Sequence, residues 1–242
     1  MSTPNGEAGC AFSPEHGLVI AGGTSGSDVL GSNAVINTRD GETFEALPPM
    51  PVAKVEHCLV ALDDGDLLVT GGLSPLPSEK TYIFSSTSWE WVEVADMPTG
   101  RYTLMCGSIQ RGGNQEVVAA GGFYFHYFDM VEIYSVEDNL WRTGKFFKPI
   151  IYLSIFKPNS NLAANPLPQN IYGATTVPFQ DSFLIVGGGS DTPSYGFLDT
   201  IYKYEADADS WTLLDQKLSR PLIWTGALMV DAEIFPTCQR LK

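Results

Sequence analysis

The chain repeats one hydrophobic run that ends on two glycines. Leu67-Leu68-Val69-Thr70-Gly71-Gly72 recurs as Leu18-Val19-Ile20-Ala21-Gly22-Gly23, as Val117-Val118-Ala119-Ala120-Gly121-Gly122 and as Phe183-Leu184-Ile185-Val186-Gly187-Gly188. Each run is short, β-branched and bounded by turn residues, the pattern of a strand buried on both faces. The first glycines stand 49, 50 and 66 residues apart. A unit of about 50 residues built from strands cannot bury its apolar face alone, so the spacing predicts an all-β architecture of stacked repeats.

Each unit divides into four strand-sized pieces. In the second unit they are residues 56–62, 67–70, 80–85 and 89–94, and Asp63-Asp64-Gly65-Asp66 makes a tight turn between the first two. After the diglycine comes a variable loop, then an aromatic, a second aromatic seven positions on, and a proline. Phe84 and Trp91 lead to Met97-Pro98, while Tyr134/Trp141 and Tyr204/Trp211 keep the same spacing. In the first unit Asn37 and Phe44 replace the pair, ahead of Met50-Pro51. Large aromatics at fixed repeat positions suit packing between adjacent twisted sheets.

Hydrophobic run, Gly-Gly, Tyr, six residues, Trp, then Met-Pro and a basic residue together resemble the kelch repeat, and the resemblance runs over nearly the whole chain. It implies an all-β, kelch-type β-propeller of about four to five four-stranded antiparallel blades around a channel. The expected division is one domain, with blades at about 5–50, 51–97, 98–168 and 169–218 and a partial blade at 219–242. Similar propellers close with more blades than this, so the sequence reads as an incomplete propeller. Two departures are Asn37 with Phe44 in the first unit and Lys217-Leu218-Ser219-Arg220-Pro221 where Met-Pro is due.

Between Trp141 and Pro168 the third unit holds 27 positions where its counterparts hold seven. Assigning the surplus to 145–164 restores the repeat spacing. That stretch carries three lysines and no acid. It reads as a binding loop, as a late insertion, or as a translated non-coding piece. Long insertions between elements cost little closure entropy, so its removal is expected to leave the fold intact.

The formal net charge of −14, from 14 basic and 28 acidic residues, opposes binding to nucleic acid or to anionic membranes. No apolar run reaches the length of a spanning helix, the first residues are polar, and no Asn-x-Ser/Thr sequon occurs, which favours a cytoplasmic location. Cys10, Cys58 and Cys106 fall at nearly the same place in successive units, and buried free thiols are expected rather than disulfides.

Little in the chain points to catalysis. The three histidines, His16, His57 and His126, are isolated in sequence, so no metal and no cofactor is expected. His57 and Cys58 are neighbours on a strand and face opposite ways, which disfavours a nucleophilic pair. Gly187-Gly188-Gly189-Ser190 lacks the Lys-Ser/Thr ending of a phosphate loop. Asp63/Asp64/Asp66 and Glu205/Asp207/Asp209 fall where hairpin turns are due and are assigned to turn chemistry rather than to calcium.

The kelch resemblance implies a non-enzymatic scaffold that presents loops to a protein partner, in some cases as the substrate-recognition module of a ubiquitin ligase. The alternative is a propeller enzyme of the galactose-oxidase or sialic-acid-processing kind. Antiparallel pairing puts the loops between second and third strands, and those between blades, on one side. That side is expected to bind the partner through Lys54, Arg101, Tyr124, His126, Tyr127, Asp191, Tyr195 and Arg220. Its basic residues predict an acidic partner, and the opposite, turn side is acidic. The competing role for Lys54 and Arg101 is to brace the start of their blades.

Overall fold

A computed structural model describes residues 6–13, 15–25, 28–31, 33–36, 44–143, 164–191 and 195–224. Most of 145–164, all of 225–242, Asn37 and Cys238 lie outside these, as does the side chain of Phe44. Among the described residues there are strands, bridges and turns and no helix, hence none that could cross a membrane.

Four four-stranded antiparallel sheets follow one another along the chain. The first comprises Gly9–Ser13, Gly17–Ala21, Asn33–Ile36 and Phe44–Glu45. The second comprises Cys58–Ala61, Leu67–Thr70, Tyr82–Ser85 and Glu90–Glu93. Met105–Arg111, Asn114–Ala120, Val131–Ser135 and Leu140–Thr143 form the third. The fourth is Thr175–Phe179, Ser182–Val186, Ile201–Glu205 and Ser210–Leu213. In each, the four strands lie in chain order across the sheet, the plan of a propeller blade.

The repeated runs of the second and third blades are buried because each has a sheet against both faces, whereas those of the first and fourth blades alternate buried and half-buried positions. Leu67, Leu68 and Val69 are inaccessible to solvent. Leu67 and Val69 join Val19, Met50, Leu59 and Phe84 between the first two blades. Leu68 faces the other way, into a core with Cys106, Val117, Tyr134 and Trp141 of the third blade. A third core, centred on Val118, Ile133, Phe183 and Tyr204, joins the third blade to the fourth. Burying each such side chain is worth about 1.5–3 kcal/mol, and every interface draws on two consecutive units.

The diglycines are required by how closely neighbouring blades approach. All eight glycines have positive φ, and a Cβ on the first of each pair would stand 2.5, 2.9, 2.2 and 2.5 Å from the carbonyl oxygens of Lys54, Arg101, Ile171 and Leu222 respectively. No side chain fits there. Those four carbonyls accept the N–H of the second glycine at 2.8, 2.9, 2.9 and 2.7 Å for Lys54, Arg101, Ile171 and Leu222. The diglycine therefore ends its strand and docks the next blade.

The paired aromatics also join blades. Trp91, Trp141 and Trp211 donate their indole N–H to the carbonyls of Pro48, Ala95 and Asn165, at 2.9, 2.9 and 3.3 Å. Asn165, which follows the 145–164 stretch, thus stands where Pro48 and Ala95 stand. Within the fourth blade the Tyr204 hydroxyl donates to Asp209, whose other oxygen accepts the Asn165 N–H; in the third, the oxygen of Asn139 accepts from both Tyr134 and the Ala95 N–H.

The cysteines depart from the expectation of free thiols. Cys58 and Cys106 form a disulfide between the first strands of the second and third blades, with Cα atoms 5.9 Å apart, and Cys10 is free. Strand register is the reason. Cys58 lies opposite Thr70, directly before the diglycine, but Cys106 lies opposite Ala119, one residue earlier. A one-residue offset turns the two side chains towards opposite flanks of their strands, and so towards each other across adjacent blades.

Candidate interaction face and channel mouth

Four residues in equivalent positions precede the first strands, Glu7, Glu56, Thr103 and Gly173, and Trp224 repeats their backbone geometry after the fourth blade. All have positive φ, from 50 to 58°. Each is pinned to its neighbour in the adjacent blade, the N–H of Glu56, Thr103, Gly173 and Trp224 bonding the carbonyl of the preceding member at 2.9, 3.0, 3.0 and 2.8 Å. Left-handed backbone is costly for side-chain-bearing residues and persists where the surroundings fix it, as these bonds do. The resulting arc rims a cavity of about 470 Å³, lined by Glu7, Glu56, His57, Thr103, Thr175 and Thr176 among others.

Lys54 and Arg101, two residues before their members of this arc, are both wholly inaccessible. The Lys54 ammonium donates to the Gly71 carbonyl (2.8 Å), the Ser78 hydroxyl (2.7 Å) and the Lys80 carbonyl (3.2 Å). Burial lowers its pKa to about 8. The Arg101 guanidinium donates to the carbonyls of Gly121 (2.8 Å), Thr99 (2.9 Å) and Ala119 (3.0 Å) and pairs with the buried Glu132. These contacts correct the expectation that Lys54 and Arg101 meet a partner: both are internal braces for the strand end left open by the diglycine.

The aromatic connections do gather on this side. Phe123–Tyr124 and His126–Tyr127 form a two-stranded ribbon whose tip, Phe125, is 84% exposed. Tyr102 meets Phe123 edge to face at 5.5 Å, Phe123 lies 4.8 Å from Tyr127, and Tyr127 stacks on Tyr172 at 4.1 Å. Tyr195, 67% exposed, continues the row 6.5 Å beyond Tyr172. Tyr124 packs on Phe125 at 4.2 Å and His126 on Phe128 at 4.3 Å. Burial, first among the causes, raises the pKa values of Tyr127 and Tyr172, so both hydroxyls stay protonated. Asp191 accepts from the Asn170 amide, whose oxygen accepts the Asp191 N–H at 3.3 Å.

Of the expected partner-binding residues, Tyr124, His126, Tyr127, Asp191 and Tyr195 thus fall on one stretch of surface spanning the third and fourth blades. Arg220 is exposed on the segment after the last strand and makes no ring contact with this row. Sequence reasoning missed Tyr102 and Tyr172. Both directly precede arc residues, and the signal was their shared place four residues after Pro98 and Pro168.

Charge on this side departs from expectation: among the described residues Lys54 and Arg101 are internal, Lys80 pairs with Glu93 and Asp96, Lys217 pairs with Asp199, Arg220 stays exposed, and the rim of the cavity carries Glu7 and Glu56. Burial and then the neighbouring Glu7 push the Glu56 carboxyl up to about 7. His57, buried beside them, is driven down to about 3 by burial and then by the Lys54 charge, so its imidazole is neutral. On the turn side, Asp63 accepts from Gln110 and Gln115, Asp66 from Ser86, and Asp138 from Ser135. Among the described residues no three His, Cys, Asp or Glu side chains are grouped to hold a metal ion.

No family model matches the chain. It is similar to mouse kelch-like protein 23, 25% identical over 178 residues, which are 71% of this chain and 27% of the relative. Human kelch-like protein 23 is 22% identical over 227 residues, 91% of this chain and 34% of that protein. The chain therefore spans about a third of the length of the curated relatives it matches.

Proposed function

We propose that the chain is a kelch-repeat β-propeller protein and that it acts as a non-catalytic platform that holds a polypeptide partner against the loop side of its third and fourth blades. One observation carries this reading: the aromatic row from Tyr102 through Tyr127 and Tyr172 to Tyr195, with Phe125 projecting beside it. Tyrosine and phenylalanine supply large contact area at small entropic cost, and they are enriched at the centres of interfaces. Two-stranded ribbons beside the blades, Phe123–Tyr124 with His126–Tyr127 and Gly189–Ser190 with Gly196–Phe197, carry or flank these rings, so little order has to be gained on binding. The finer role is capture of a substrate for a ubiquitin ligase, supported by the similarity to kelch-like proteins.

Affinity capture from cell extract, read by quantitative mass spectrometry, tests the platform. The Phe125→Ala/Tyr195→Ala variant is expected to lose partners that both the unaltered protein and Asp64→Lys, on the turn side, retain. Loss with Asp64→Lys alone puts the binding face on the other side. Ubiquitin-ligase subunits among the captured proteins support the finer role, and a captured set whose cellular half-lives do not respond to the protein's depletion overturns it.

A further inference from the structure

The polar side chains of the cavity at the channel mouth include two carboxylates, Glu7 and Glu56, and the hydroxyls of Thr175 and Thr176, and among the described residues no lysine or arginine lines it. Among the described residues, neither carboxylate has a cation within ion-pair distance. Two further side chains in the same lining hold buried polar atoms with no side-chain partner: the Thr103 hydroxyl, and the His57 ring, which is only 7% exposed and whose hydrogen-bonding contact is with the Lys54 backbone. A neutral imidazole offers one acceptor nitrogen and a hydroxyl offers two lone pairs. Buried polar atoms are normally satisfied, so these atoms, together with the half-buried carboxylate of Glu56 beside the exposed Glu7, favour a donor-rich cation.

Resting on the platform reading above, we propose that the partner inserts an arginine side chain into this cavity while its flanking residues lie over the tyrosine row. Guanidinium fits the lining better than the alternatives. It is planar, carries five N–H donors and no acceptor, and sheds water more readily than an ammonium group. Trp224 at the rim, 67% exposed, offers a ring face of the kind on which guanidinium stacks. The volume, about 470 Å³, falls within the roughly 300–1,000 Å³ range of ligand pockets. The cavity and the row are continuous along the chain, because Tyr102 and Tyr172 directly precede Thr103 and Gly173 of the rim. The burial that raises Glu56 has the same meaning: an ionised carboxylate there lacks a counter-charge.

Saturation-transfer NMR titrations with the tripeptide acetyl-Gly-Arg-Gly-amide test the assignment. The neutral isostere acetyl-Gly-citrulline-Gly-amide is expected to bind at least about tenfold more weakly, the loss typical of a charge-assisted hydrogen bond. Glu56→Gln and Glu7→Gln, each shown to be folded by circular dichroism, are expected to weaken the arginine tripeptide by a similar factor, and Asp64→Asn to leave it unchanged. Equal binding of arginine and citrulline, or no response to either glutamine variant, overturns the assignment. So does tighter binding of a glutamate tripeptide. The two readings fail separately. Partner capture that still depends on Phe125 and Tyr195 while the arginine tripeptide does not bind removes the arginine and keeps the platform; tripeptide binding with capture indifferent to those rings removes the platform.

Discussion

Lys54 and Arg101 hold the same place in consecutive blades, three residues after Pro51 and Pro98, and they solve the same problem differently. Each caps carbonyls at the end of the second strand, where positive-φ glycines interrupt the ladder. Arg101 reaches three carbonyls and the carboxylate of Glu132, which itself accepts from Thr99 at 3.0 Å. Lys54 reaches two carbonyls and a hydroxyl, with its ammonium 5.8 Å from the Tyr82 ring centre and no carboxylate in contact. The arginine site is a closed ionic network and the lysine site is a buried charge held by neutral dipoles. The fourth blade puts Ile171 at this position, so the fold tolerates an apolar residue where no carboxylate waits for a partner.

The contrast is sharpest when one partner is removed. Arg101→Leu strands a buried carboxylate and is expected to cost about 3–5 kcal/mol in urea unfolding, enough to unfold a marginal domain. Removing the charge of Glu132 as well, in Arg101→Leu/Glu132→Leu, is expected to restore much of that loss. If the double variant is as unstable as the single, the carboxylate is not what makes Arg101 indispensable. Lys54→Met leaves only neutral acceptors unsatisfied and is expected to cost less, about 1–3 kcal/mol by the same measurement. A larger loss than at Arg101 reverses the ranking and places the greater strain in the second blade.

These two residues also show where sequence reasoning stops. The diglycine runs and the tyrosine–tryptophan spacing were legible because each recurs for a geometrical reason, close approach of blades and an indole bond to the preceding linker, that admits few residue types. The braces were assigned to the partner, with bracing kept as the competing role, because a charge reads as surface and only the apolar Ile171 in register with them signals burial. Cys58 and Cys106 were misread because a one-residue offset, invisible in repeat counting, decides which flank a side chain takes. Tyr127 was legible in an aromatic run, whereas its stacking partner Tyr172 lies in another blade and sits in a stretch that resembles core.

Weaker effects are expected at the indole bonds. Trp141→Phe keeps most of the ring in the core between the second and third blades and loses the bond to the Ala95 carbonyl, an expected cost of about 1 kcal/mol. Trp211→Phe, whose bond to Asn165 is longer at 3.3 Å, is expected to cost less. Thermal melts of the two variants side by side decide the order. Equal losses mean that ring packing, not the hydrogen bond, sets the value of this position.

The smallest effect carries a sign. Glu56 has a folded-state pKa near 7, above its ordinary value, so the unfolded chain releases this proton first as pH rises. Across the interval from the ordinary carboxylate range to about 7 the unfolded state therefore holds fewer protons, and the contribution of Glu56 to stability falls with rising pH before levelling off. His57 runs the other way: its folded-state pKa is depressed to about 3, so stability is lost as pH falls below the ordinary histidine range. The groups acting on the pair are Glu7, Lys54 and the Tyr102 hydroxyl, and none of them is altered in Glu56→Gln. Subtracting the variant's stability from that of the unaltered protein cancels His57 and leaves Glu56. The difference is expected near zero at pH 4 and to favour the variant by roughly 1 kcal/mol at pH 8, since water screens a partly exposed carboxylate. Denaturant midpoints at the two pH values read it directly. A variant less stable than the unaltered protein at pH 8 means that Glu56 already has a counter-charge at the channel mouth, and that the cavity is not waiting for one.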